Sequence, residues 1–147
     1  MIQLERDDLS TKTNLSYFDL YDKMTNTSYP VLVSITSQLT GKTKYYTPAT
    51  TYTYKERFVS ILTFVSATIG GENLTSGVIF LGSTDYPLGF YDVAIYQNTS
   101  SSNLDPTGLT QVYSGLMNLS PTSDAEPVTY SEYTTNDSDT ESVYITF

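Results

Sequence analysis

The stretch from Gly89 to Leu119, GFYDVAIYQNTSSSNLDPTGLTQVYSGLMNL, decides how this chain is to be read. Its first part alternates strictly. Tyr91, Val93 and Ile95 fall on one side, and Asp92, Ala94 and Tyr96 on the other, which is the period of a half-buried strand. Asn98 to Gly108 then carries turn chemistry throughout: Pro106 holds Asp105 in an extended backbone, and Gly108 is free to take a positive φ. LTQVYSGLMNL is the return strand, with Gly115 in its middle marking a bulge or a close backbone approach.

The same period runs outward from this hairpin in both directions. In PVLVSITSQLTGKTKYYT, Val31, Val33 and Ile35 alternate with Leu32, Ser34 and Thr36. Leu39 to Lys42 supplies a turn before Lys44-Tyr45-Tyr46 returns, a second hairpin signature. RFVSILTFVSATI sets Phe58, Ser60, Leu62 and Phe64 against Val59, Ile61, Thr63 and Val65. Apolar groups on both sides predict a central strand covered twice, ended by Gly70-Gly71. SGVIFLGS, EPVTYSEYT and SVYITF read as further short strands, NLSYFDLYD as one near the start, and MIQLE as a partner beside it. Eight to ten strands with Ser/Thr/Asn/Gly/Pro turns and almost no helix predict an all-β chain. The expected architecture is a single antiparallel β-sandwich, Ig-like or jelly-roll-like, spanning residues 1–147 as one domain.

Composition narrows the chemistry. The 147 residues include no Cys and no His, which removes disulfides, Cys- or His-ligated metals, cysteine nucleophiles and Ser-His-Asp catalysis. No apolar run reaches membrane-spanning length, and Met1 to Asp8 does not resemble a secretory leader, so synthesis in the cytoplasm is expected. All seven bases lie in the first 57 residues, while residues 58 to 147 hold ten acids and no base. Nucleic acid is therefore not an expected partner, since a phosphate-binding surface needs clustered cations. The asymmetry fits either a generally acidic surface or a polarised molecule with an N-terminal docking part. The Asn-x-Ser/Thr sequences at Asn14, Asn26, Asn73, Asn98, Asn118 and Asn136 are read as coincidence in a Ser/Thr-rich chain.

Sixteen carboxylates raise the question of a glycosidase, but no pair stands in an apolar setting that would raise one pKa. A Ser or Thr nucleophile would need a Lys base, and no Ser-x-x-Lys is present. Neither catalytic nor cofactor-binding residues are assigned, and the expectation is a protein without enzymatic activity or cofactor. Asp137, Asp139 and Glu141 begin like a calcium loop, but Ser142 stands where glycine is needed. No metal ligands are assigned there, and weak Ca²⁺ binding stays open. The tyrosine cluster of KYYTPATTYTY, with Tyr45, Tyr46, Tyr52 and Tyr54 among Lys42, Lys44, Lys55 and Arg57, is read three ways: an interface, cross-strand packing, or sugar stacking. Asn103 and Asp105 in the hairpin loop are the other interface candidates.

The opening stretch, with YSEYTTND and the terminal SVYITF, resembles a family of small tailed-phage virion proteins. The resemblance rests on Gly89, Phe90, Tyr91, Tyr96, Ser101, Ser102, Asn103, Leu104, Asp105, Pro106, Val112, Gly115, Leu116 and Met117. It is close over roughly the last 60 residues and one of style before them. It implies a β-sandwich component of a phage particle, an auxiliary or decoration protein on the capsid surface with no activity of its own. The partners implied are the major capsid protein, other virion proteins or further copies of the chain. A neck, tail or fibre-base component and a carbohydrate-binding module are the alternatives. The absence of Lys and Arg after Arg57 departs from the expected pattern, and the motif residues look structural.

Overall fold

The computed structural model describes residues 1–20, 22–25, 29–53 and 58–122, with backbone alone at 51–53 and 58. The predicted strands EPVTYSEYT and SVYITF, the acidic run Asp137 to Glu141, and Tyr54, Lys55 and Arg57 lie outside the described residues. Nine strands form among those described: β1 (Ile2–Arg6), β2 (Lys12–Phe18), β3 (Val31–Ser37), β4 (Thr43–Tyr46), β5 (Ala49–Thr53), β6 (Phe58–Ser66), β7 (Val78–Phe80), β8 (Gly89–Gln97) and β9 (Thr110–Pro121). A single 3₁₀ turn, Ile69–Gly71, follows β6. The described residues are all-β, in two sheets.

One sheet has the order β1-β9-β8-β3-β4, and the other β2-β6-β5 with β7 also on β6. Both predicted hairpins are present. β3 and β4 pair through a turn in which Gly41 has φ 70°, and β8 and β9 pair through a loop in which Gly108 has φ 76°. The irregularity in β9 lies at Val112, where pairing shifts between Ile95 and Tyr96. Gly115 serves the close approach instead, because a Cβ there would fall on the Tyr113 ring.

Two expectations are corrected. Pairing is not antiparallel throughout: β1 runs parallel to β9, and β7 parallel to β6. Nor does β1 pair beside β2, for the intervening residues lift the chain from one sheet to the other. Asp7 organises that turn by accepting from the Leu9 N–H at 2.8 Å and the Ser10 hydroxyl at 2.9 Å. Ile2 and Leu4 then stand beside Met117 and Leu119 in register, so the apolar alternation of β1 continues that of β9 across the same face.

A single apolar cluster joins the sheets. Leu4, Val33, Ile35, Val93, Ile95, Met117 and Leu119 come from one, and Phe18, Val59, Ile61, Val65 and Ile79 from the other. The Phe18 and Tyr113 rings meet edge to face at 4.9 Å between centroids, tying β2 to β9. β6 is central, as predicted, with β2 along one edge and β5 then β7 along the other. Its second face is only half-buried at Leu62 and Phe64.

The connection after β7 is fixed by charge. Lys44 on β4 donates to Glu72 and, at 2.9 Å, to the Phe80 carbonyl, with its ammonium 4.4 Å from the centre of the Tyr86 ring. Glu72 also accepts from the Phe80 N–H at 2.7 Å. An ion pair so enclosed persists because each partner has further hydrogen bonds or a ring face.

Candidate functional site

The described tyrosines of the segment do not form one patch. Adjacent residues of a strand point to opposite faces, and Tyr45 and Tyr46 obey that rule. Tyr46 pairs with Val33 and turns into the core, where it is 3% exposed and bonds the Thr63 hydroxyl at 3.0 Å. Burial pushes its phenol up to about 12, with the Thr63 bond acting the other way. Tyr46 is thus a core residue and offers no contact area. Tyr45, opposite Ser34, is half-buried on the outward face. After Thr47-Pro48 the chain joins the other sheet, so the Tyr52 backbone pairs with Val59 there. Residues close in sequence are divided between two sheets.

Asn103 and Asp105 are brought together, within the β8–β9 loop. The buried Asn98 side chain donates to the Asn103 carbonyl at 2.8 Å and accepts from the Thr99 N–H at 2.8 Å and from Asn103 Nδ2 at 3.1 Å. Asn103 Oδ1 accepts from the Asp105 N–H at 3.1 Å. Asp105 Oδ1 accepts from the Thr107 N–H at 2.9 Å and its hydroxyl at 2.7 Å, and these bonds, the backbone one foremost, hold the exposed carboxyl below its usual range. The loop is therefore prefolded by its own side chains. Ser100 to Ser102 remain exposed at its tip.

Asn98 and Asn14 also explain two of the Asn-x-Ser/Thr sequences. Asn14 is buried, accepting from the Glu5 N–H at 2.8 Å and donating to the Glu5 carbonyl at 3.0 Å. Its amide imitates a neighbouring strand. A glycan on either nitrogen would require these buried bonds to break.

The feature that the sequence reading missed is the outward face of the β8–β9 hairpin. Register sets Phe90 opposite Asn118 and Asp92 opposite Leu116, so Phe90 and Leu116 are diagonal neighbours. They are 53% and 46% exposed, and Leu88, just before β8, is exposed as well. Asp92 lies between, accepting from Gln38 Nε2 at 2.9 Å. Elsewhere the same face is closed: Leu32 and Ser34 on β3 are buried, and Ala94 and Tyr96 half-buried. The available signal was the alternation itself, which puts Phe90 in the register of Asp92 rather than of Tyr91 and Val93.

Among the described residues no three carboxylates gather as metal ligands would, and no helix is long and apolar enough to cross a membrane. Compared with models of known families, with curated proteins and with solved structures, the chain has no match in any of the three.

Proposed function

We propose that this chain is a non-enzymatic structural component of a tailed-phage virion. In this reading it is a β-sandwich that docks on the capsid surface as an auxiliary or decoration protein, after synthesis in the host cytoplasm. The observation that carries the proposal is the pair of exposed apolar side chains Phe90 and Leu116, diagonal neighbours on the outward face of the β8–β9 hairpin. The resemblance of the same hairpin to phage virion proteins supplies the kind of assembly. Aromatic and aliphatic anchors at the centre of a contact carry most of its energy, while a stable contact buries on the order of 1,600 Å² in all. Repetition over a shell lattice turns modest single contacts into firm attachment. The major capsid protein is the partner expected, through this face, with the prefolded loop tip at the far end of the same hairpin.

The test is occupancy. Phe90→Ser with Leu116→Ser removes two half-exposed apolar side chains whose burial on docking is worth about 1.5 kcal/mol each, together roughly a hundredfold in affinity per site. The double variant should melt like the parent and bind isolated shells lacking this protein roughly a hundredfold more weakly. Unchanged binding by a folded variant refutes this docking face.

A further inference from the structure

We infer that the outward face of the β2-β6-β5 sheet is a contact between two copies of this chain, packed sheet on sheet about a two-fold axis that runs along β6. The inference does not depend on the virion reading.

β6 is apolar on both sides. Val59, Ile61 and Val65 enter the core, while Leu62 and Phe64 alternate with them and face outward, half-buried. A sheet with one solvated face normally carries polar side chains there. On β2, Asn14 and Phe18 turn inward, so Leu15 and Tyr17 turn outward, 52% and 65% exposed. Register assembles the face in rows: Leu15 beside Leu62 beside Ala49, and Thr13 beside Phe64 beside Val78. Tyr17 stands beside Ser60 in the next row. None of these residues is charged.

Charge selects a second copy as the occupant. The chain carries −9, so two copies meet favourably only across a surface that opposes no carboxylates. The other exposed apolar pair, Phe90 and Leu116, has Asp92 between its members and suits a different partner.

Shape selects the symmetry. The face is high along β2, where Leu15 and Tyr17 stand out, and low where β5 begins, at Ala49. A two-fold axis along β6 lays β2 of one copy over β5 of the other, so that Leu15 covers Ala49 of the second copy and Leu62 meets its own counterpart. An axis across the strands would set ridge on ridge instead. The seven residues of β2 and the width of three strands give a face of roughly 24 by 15 Å. With side-chain relief, two copies bury on the order of 1,000 Å² in total, the lower bound for a specific contact, and the dimer is therefore reversible.

Sedimentation equilibrium of the full chain between about 1 µM and about 1 mM should show monomer and dimer in exchange. Leu15→Lys and Ala49→Glu each place a charge in the contact. Both positions are exposed, so both variants should melt like the dilute parent, and each should dimerise at least about tenfold more weakly. Mixed in equal amounts they should recover dimer, since the introduced ammonium and carboxylate meet in one half of the contact while the native Leu15 and Ala49 meet in the other. Phe90→Ser with Leu116→Ser should dimerise as the parent does. The inference is overturned by a parent chain that stays monomeric at the highest concentration, by a dimer that neither charge weakens, or by one that the Phe90 and Leu116 substitutions dissociate. Failure of the mixture of folded variants to recover dimer overturns the two-fold arrangement.

Discussion

Replacing Asn14 with alanine should open the seam between the sheets at a calculable cost. The side chain is 8% exposed and makes two bonds to one residue, to the Glu5 N–H at 2.8 Å and its carbonyl at 3.0 Å. Each is worth about 1 kcal/mol net, and a partly buried group left without a partner costs about as much or more. Water reaches a half-buried strand edge and recovers part of this, so about 2 kcal/mol is expected for Asn14→Ala. For a chain of 147 residues that is a fall in Tm of about 4–8 °C. Asn14→Asp keeps the acceptor for the Glu5 N–H but sets a carboxylate oxygen against the Glu5 carbonyl, and should cost at least as much at neutral pH. Urea unfolding gives the free energy, an unchanged m-value establishes that the same surface is exposed, and hydrogen exchange at the Glu5 amide reports the local bond. If Asn14→Ala unfolds within about 0.5 kcal/mol of the parent and Glu5 exchange is unaltered, the amide does not hold the seam.

Two further outcomes follow from buried groups. Glu72→Ala leaves the Lys44 ammonium with only the Phe80 carbonyl and the Tyr86 ring, so it should destabilise by about 3 kcal/mol in urea unfolding, while Lys44→Met with Glu72→Gln should recover more than half of that. Tyr46 ionises in the folded chain only near pH 12 because it is buried. Its contribution is therefore complete below the ordinary tyrosine value near 10 and is lost as pH rises through 12. Stability should fall between pH 10 and 12 more steeply in the parent than in Tyr46→Phe, which itself costs about 1 kcal/mol at pH 8 by stranding the Thr63 hydroxyl. Equal slopes in parent and variant would contradict this assignment.

Much of the fold was legible because it is local. Two hairpins announced themselves through period-two alternation and through turns that require Gly41 and Gly108 at positive φ. MIQLE was legible as a strand but its place was not, since its parallel partner β9 lies more than a hundred residues away, and no short-range signal specifies which sheet edge a five-residue strand will join. Asn14 read as one of several Asn-x-Ser/Thr sequences, because a side chain that imitates a strand leaves no trace in composition. The tyrosines teach the reverse lesson. Alternation already required Tyr45 and Tyr46 to face opposite ways, and the crowding of one residue type in the sequence obscured a rule that was there to use. Asn103 and Asp105 were correctly placed on the loop, but their bonds to Asn98 and Thr107 spend their polar groups on the loop itself.

The central claim is that this chain belongs to a virus particle, and counting tests it most directly. On the proposed reading, virus particles purified from the source of the chain and analysed by quantitative mass spectrometry should contain it at a copy number close to that of the major shell protein. Absence from the particles would contradict the account, and a dozen copies or fewer would contradict decoration of the shell lattice and move the chain to a neck, tail or vertex.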